Sequence, residues 1–188
     1  GLDVIVGPDD ATANASSIAT RAATLTSYLA ADPQRGSKIS GLVSEIAAKV
    51  APFGVEIVTA RPAAGPYHIV VITDDSNTAI DASGDPAVLS TTLLENPCNQ
   101  VPSAISYVFG ASNHNEVVEA TIDMFANLNG VPESIGPHDC MCRVGLSCVS
   151  DVACTIGGPN TPVATLGNCG VTGTMDENAM FLKVFGPS

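Results

Sequence analysis

Basic residues are scarce in this sequence, and charge of either sign is sparse. Its 188 residues contain 7 Lys and Arg against 19 Asp and Glu, which gives a net charge of −12. Binding to a nucleic-acid backbone needs clustered basic side chains, so this balance argues against that class and against anionic membrane surfaces. Solubility is the first interpretation of the acidity, and cation binding is the alternative.

Long apolar runs are also missing. No stretch reaches the roughly 18 to 20 residues that a membrane-spanning helix needs, so no membrane span is predicted. Apolar residues nevertheless make up 45% of the chain, which is enough for a buried core. We expect a single domain over 1–188, with an α/β core at 1–130, a Cys-rich loop region at 131–173 and a C-terminal helix at 174–188.

Apolar periodicity predicts an α/β fold, in which helices pack on a mixed β-sheet and an irregular, disulfide-rich C-terminal subdomain follows. The predicted strands are 2–6, 55–59, 67–73 and 104–109, of which 67–73 is apolar on both faces like a central strand. The predicted helices are 17–29, 39–53, 116–128 and a final one opened by a capping box at Thr174 and Glu177.

The cysteine pattern favours disulfides. Five of the six cysteines fall in the last third of the chain, among Gly, Pro and Asn, which suits disulfides in an oxidising compartment. The six are Cys98, Cys140, Cys142, Cys148, Cys154 and Cys169. A metal cluster around Cys140 and Cys142 is the alternative, although zinc sites usually space paired thiolates by two to four residues. We therefore expect a secreted, extracellular protein whose Gly1 is the mature end left by processing.

Five short segments stand in order along the chain: 9–18 (DDATANASSI), 50–55 (VAPFGV), 60–67 (ARPAAGPY), 105–109 (ISYVF) and 139–142 (DCMC). Together they resemble bacterial secreted metzincin-like proteins, a family of zinc metallopeptidases, with 139–142 at the family's Met-turn. The resemblance covers most of the chain and implies a metzincin-like fold. It also implies a zinc site of the pattern HExxHxxGxxH, in which three His bind the metal and the Glu activates a bound water.

The zinc ligands of that pattern are absent. The matching helix is 119–131 (EATIDMFANLNGV), which puts Ala120, Met124 and Gly130 at the three ligand positions. Thr121 stands where the catalytic Glu would be, and Asn127 replaces the glycine. Ala and Gly offer no donor atom, and a thioether is a poor ligand for Zn²⁺. The resemblance is therefore to a degenerate member of the family that lacks its catalytic centre.

Other candidate sites are weak. His114 and Glu116, joined by His138 and Asp139, could form a different metal site, but solvated loop side chains are the simpler interpretation. His68 is expected to pack at a strand rather than act as a base. The adjacent acids Asp9 and Asp10, and likewise Asp74 and Asp75, could bind Ca²⁺ through carboxylate oxygens. No resident cofactor is expected otherwise.

These observations predict a non-catalytic secreted protein on a metzincin-like scaffold, acting as an extracellular structural, self-assembling or binding protein. Its expected partners are copies of itself, as a homo-oligomer or matrix, or another extracellular protein. The alternative is a secreted metal-dependent peptidase with a relocated metal site.

Overall fold

The computed structural model describes residues 1–80, 90–91, 101, 103–110, 113–136, 138–142, 151–158, 161–163, 171 and 173–187. Within them the chain is mixed α/β, as predicted, with helices α1 (Arg35–Val50), α2 (His114–Leu128) and α3 (Glu177–Phe185). The strands are β1 (Leu2–Val6), β2 (Ala15–Ser16), β3 (Ala23–Leu25), β4 (Ile69–Thr73), β5 (Ser90–Thr91), β6 (Ile105–Phe109), β7 (Thr161–Pro162) and β8 (Thr174–Met175).

The strands pair in small sheets. In the first, β1 lies between parallel β2 and antiparallel β3, and in the second, β6 lies between parallel β4 and antiparallel β5. Ile69 of β4 stands opposite Ile105 of β6, and Thr73 stands opposite Phe109. Strands β7 and β8 form a separate antiparallel pair. The mixed-sheet prediction is confirmed, whereas the metzincin-like arrangement stays a prediction.

The sheet that contains β4 and β6 has a core on each face. On one face, Val70 and Ile72 of β4 pack towards helices α1 and α2. On the other face, Ile69 and Val71 pack with Tyr107 of β6 and with residues of β1 and β3. Burial on both faces explains why the whole strand is apolar in sequence.

Helices α1 and α2 form where the apolar periodicity predicts them. Helix α1 starts four residues earlier than predicted, and a 3-10 turn, Ala51–Phe53, follows it. Gly54 ends that turn with φ 66°, a left-handed conformation that glycine adopts without strain. Asn113 caps α2 by accepting a hydrogen bond from the backbone N–H of Glu116 at 2.9 Å. Among the described residues, no helix combines the length and apolar character required to cross a bilayer.

The predicted helix at 17–29 is wrong. Residues 23–25 instead form β3, which pairs antiparallel with β1, so that Leu25 stands opposite Leu2. Upstream, the Asp9 carboxylate accepts hydrogen bonds from both the backbone N–H and the hydroxyl of Ser17, at 3.1 and 2.6 Å. Pairing with a distant strand therefore outweighs a local apolar spacing that happens to fit a helix.

Three further expectations need correction. The segment 55–59 forms no ladder; Val55 and Ile57 instead pack against the helical core. Strand β4 begins at Ile69, and in the described part of the chain it is an edge strand rather than a central one. The final helix is capped by Asp176, whose carboxylate accepts from the N–H of Ala179 at 3.0 Å. Thr174, the expected cap, lies in β8.

One disulfide joins Cys140 to Cys154, with their Cα atoms 5.0 Å apart. Cys142 is disulfide-bonded as well. Cys98, Cys148 and Cys169 lie outside the described residues. The general prediction of disulfide bonding is therefore confirmed at one pair, while a disulfide-rich C-terminal subdomain stays a prediction.

Candidate functional site

The helix that the resemblance assigns to zinc is packed into the core. Ala120 is 1% exposed and Met124 is 5% exposed, and both belong to a core cluster with Val108 of β6. Val70 and Ile72 of β4 pack against the same cluster. Gly130 follows the helix with φ 85° and donates its N–H to the carbonyl of Asn127 at 3.0 Å. These positions therefore serve packing and chain reversal.

The other two positions of the motif have different surroundings. The amide of Asn127 is buried and donates to Asp123 Oδ1 at 3.1 Å and to Glu133 Oε1 at 3.3 Å. Thr121 is 7% exposed, and its Oγ1 has no hydrogen-bond partner. It lines a groove on the surface of the protein. The residue at the position that the resemblance assigns to the catalytic Glu thus lines the groove.

The groove has a volume of about 490 Å³, which lies within the range of ligand-binding clefts. Helix α1 forms one wall, β4 forms the floor, and the segments 25–28 and 57–62 form the remaining sides. Most lining side chains are apolar, among them Ile39, Leu42, Val43, Ile46, Ile57, Val58, Ile69, Val70, Val71 and Ile72. The groove is therefore an apolar cleft that runs along the open edge of a sheet.

The backbone of β4 offers hydrogen-bonding groups to this cleft. Ile69 donates its N–H to Ala104 at 3.0 Å, and Thr73 accepts from Gly110 at 3.0 Å, both on the β6 side. Because the bonding direction of a strand alternates from residue to residue, the N–H and C=O of Val70 and Ile72 point to the opposite edge. No strand among the described residues pairs with that edge.

Arg35 lies beside the groove at the Thr73 end of β4. Its Nε donates to the carbonyl of Tyr28 at 2.8 Å. The neighbouring carbonyl of Thr26 accepts a hydrogen bond from the Thr73 hydroxyl at 2.7 Å, which ties this segment to the strand end. The Arg35 guanidinium has no carboxylate partner among the described residues.

Arg61 lies beside the groove at the Ile69 end. Its Nη1 donates to the carbonyl of Ala11 at 3.1 Å, and the N–H of Ala11 donates to Ser103 Oγ at 3.0 Å. Ser103 precedes β6, whose Ile105 is paired with Ile69. The hydrogen-bond acceptors of Arg61 are the neutral oxygens of Ala11, Thr12 and Asn14. The two arginines therefore flank opposite ends of the same strand.

His68 also lines the groove. Burial lowers the pKa of its imidazole, and a hydrogen bond with Asn129 opposes this shift. Its Nδ1 has no hydrogen-bond partner. The sequence-based expectation that His68 packs beside a strand agrees with this placement.

The weak metal candidates are placed in separate ion pairs. His114 Nε2 lies 2.7 Å from Glu45 on α1, and His138 Nδ1 lies 3.5 Å from Asp151. Glu116 stands in the first turn of α2, and Asp139 lies in a different cluster. Within the described residues, no three His, Cys, Asp or Glu are grouped so that they could hold a metal ion.

The four aspartates proposed for Ca²⁺ hold backbone in place. Asp9 binds Ser17 as described above, and Asp10 Oδ1 accepts from the N–H of Thr12 at 2.8 Å. Asp74 accepts from the N–H groups of Leu29 and Ala30, and Asp75 accepts from the N–H of Thr26 at 2.5 Å. Each carboxylate thus has a structural role that requires no ion.

The structure contains a buried pair of acidic side chains, Asp139 and Glu177, that the sequence does not predict. The carboxyl groups of Asp139 and Glu177 are hydrogen-bonded to each other, and Glu177 Oε2 accepts from the N–H of Gly157 at 2.6 Å. A Cβ on Gly157 would lie within 3.0 Å of both carboxylates and of Thr161 Oγ1, so only glycine fits there. The spacing from Thr174 predicts that Glu177 is part of a capping box, and no pattern in the sequence indicates that it is buried.

Comparison with known protein families, with curated proteins and with solved structures found no match. The metzincin-like resemblance therefore rests on the five segments alone.

Proposed function

We propose that this protein is a non-catalytic extracellular binding protein whose ligand occupies the groove along β4. The groove is the main observation in support of this proposal, because it combines a preformed apolar cleft with a few polar groups that can orient a ligand. Those groups are the guanidinium groups of Arg35 and Arg61.

The packing of α2 supports a function without catalysis. Ala120 and Met124 fill core space against β6, so the helix that would carry zinc in the resemblance contributes shape rather than ligands. The alternative of a relocated metal site has less support, because His114 and His138 each lie in a separate ion pair. The disulfide between Cys140 and Cys154 supports an extracellular location, since such bonds persist in oxidising compartments.

The proposal can be tested with 8-anilinonaphthalene-1-sulfonate, a fluorescent probe with an apolar ring system and one negative charge. We expect saturable binding to the native protein, because the ring fits the cleft and an arginine can pair with the sulfonate. Val43→Glu places a carboxylate on the groove wall and should weaken binding by about tenfold or more, which corresponds to about 1.4 kcal/mol.

Ser44→Glu is the matched control, since Ser44 is exposed on the same helix and does not line the groove. This variant should bind the probe like the native protein, and circular dichroism should show both variants folded. Equal binding by native protein and Val43→Glu would contradict a ligand site in the groove. Metal-dependent cleavage of a peptide library by the native protein would contradict the absence of catalysis.

A further inference from the structure

We infer that the occupant of the groove is an extended peptide segment, which adds to the sheet as a strand beside β4 and carries acidic residues at its ends. This inference rests on the proposed function, because it names the partner of the same groove. Three features of the site support it independently: the unpaired backbone of β4, the apolar walls on both sides of that edge, and the placement of the two arginines.

The backbone of β4 provides the recognition common to all extended peptides. Val70 and Ile72 each point an N–H and a C=O to the open edge, which offers two donors and two acceptors to an added strand. Unpaired edges of this kind accept foreign strands by main-chain hydrogen bonding, and proteins usually cover them. Here the edge is flanked by a cleft instead of a covering strand in the described part of the chain.

The apolar walls of the groove can accommodate the side chains of an added strand. Successive side chains of an added strand would point alternately to the two faces of the sheet. On one face they would meet Val43 and Ile46 of α1, and on the other they would meet Leu25 and Tyr67. A segment with apolar residues at successive positions would therefore bury side chains on both faces. Five residues of strand span about 17 Å, so the binding segment is short.

The charged side chains of the groove favour acidic peptide segments over basic ones. The side chains that line the groove include Arg35 and Arg61 but no Asp or Glu, although the chain as a whole carries a net charge of −12. The two arginines flank opposite ends of β4, as their contacts with Tyr28 and Ala11 place them. An acidic residue at each end of the bound segment would meet a guanidinium group, whereas a basic residue would face a like charge.

A designed peptide tests the strand geometry. The probe is an end-blocked peptide with Asp at each end of a five-residue Val and Thr core, followed by Gly and Trp as a fluorescent reporter. The protein contains no Trp, so the signal belongs to the peptide alone. Two further versions carry N-methyl groups on alternate core residues, one version on the odd positions and the other on the even positions.

In strand addition only one alternate set of peptide N–H groups bonds to β4. One N-methylated version should therefore lose affinity by about tenfold, because each N-methyl group removes the donor of a main-chain hydrogen bond, while the other should bind like the parent peptide. Equal affinities for the two versions would overturn strand addition. If the anionic naphthalene probe still bound the groove in that case, the proposed function would stand and only the nature of the ligand would be wrong.

The charge selection has its own test. A peptide with Lys at both ends should bind more weakly than the Asp-ended peptide, and Arg35→Gln should reduce that preference by about two- to fivefold, as expected for an exposed ion pair. Lys183→Gln is the control, because it removes one exposed positive charge outside the groove. Equal binding of both peptides, or an equal effect of the two variants, would overturn the assignment of an acidic segment. A dimer of the native protein that Val43→Glu dissociates would place a second copy in the groove and would overturn it as well.

Discussion

The buried acid pair makes stability depend on pH in a direction opposite to that of ordinary acidic groups. Glu177 is 0% exposed and lies at the start of α3, where its carboxyl group contacts Asp139 and the backbone N–H of Gly157. Burial, together with the charge of Asp139, raises the pKa of Glu177 to about 9. Burial also raises the pKa of Asp139, and the negative charge of Asp123 adds to the effect on Glu177. At neutral pH, Glu177 is therefore a neutral acid whose hydroxyl donates a hydrogen bond to Asp139.

The direction in which the free energy of unfolding changes with pH follows from comparison with the unfolded chain, in which Glu177 has its ordinary pKa of 4.5. Since the folded-state pKa is higher, the stability from this group is complete below pH 4.5 and is lost as the pH rises to about 9. The loss is about 1.4 kcal/mol per pH unit, or about 3 kcal/mol between pH 4.5 and pH 7. A glutamine in this position has nearly the same shape but has no proton to lose.

We therefore expect Glu177→Gln to raise the free energy of unfolding at pH 7 by about 3 kcal/mol and to leave it nearly unchanged at pH 4. Urea unfolding between pH 4 and pH 9, followed by far-ultraviolet circular dichroism with disulfides intact, measures this difference. Glu56→Gln is the control, because Glu56 is exposed and should keep the native pH dependence. Parallel stability curves for Glu177→Gln and native protein would refute the argument, since they would show that Glu177 titrates alike in both states.

Four further outcomes are expected. Asp74→Ala should lower the free energy of unfolding by about 1 kcal/mol, because the backbone N–H groups of Leu29 and Ala30 lose their acceptor, and urea unfolding against Glu56→Ala would detect the change. Elemental analysis should find no stoichiometric zinc held at α2; one tightly bound Zn²⁺ per chain that is lost on changing Met124 would contradict this. Thiol titration of the denatured, unreduced protein should find no free cysteine, and two or more reactive thiols would revive the metal alternative. Light scattering should show association that strengthens with salt, because screening reduces repulsion between acidic copies, and a strict monomer in every condition would favour a different protein as the partner.

The sequence predicts those elements whose pattern is strong and local. Helices α1 and α2 carry clear apolar faces, and β6 is rich in β-branched and aromatic residues, so all three lie close to where they are expected. Strand β3 was missed because its three residues gain their structure from pairing with β1, about twenty residues away in the sequence. The apolar residues around it fit a helical spacing by chance. Leu29, the last of them, instead has φ 52°, which a regular helix does not contain.

The candidate groove could not be predicted in the same way. Its walls come from α1, β4 and two irregular segments that are far apart in sequence, and only the folded chain brings them together. Arg61 was noted only as part of a segment that carries the resemblance, and its position beside β4 depends on hydrogen bonds to Ala11 and Asn14. The burial of Glu177 depends on contacts with Gly157 and Asp139, which no local pattern records. Sites that are built from long-range contacts therefore cannot be predicted from the local patterns of a single sequence.

The packing behind β4 connects the helix positions that the resemblance assigns to zinc with the groove. Ala120 and Met124 occupy the space between α2 and the sheet, and Val70 and Ile72 of β4 rest on the same cluster. An imidazole at position 120 would need volume that these side chains already fill, and overpacking of this kind costs about 1–3 kcal/mol or displaces a neighbour. The displaced neighbour would be the strand that forms the floor of the groove. A zinc site on this helix and a firmly supported β4 therefore compete for the same space, and the residues of this chain favour the second.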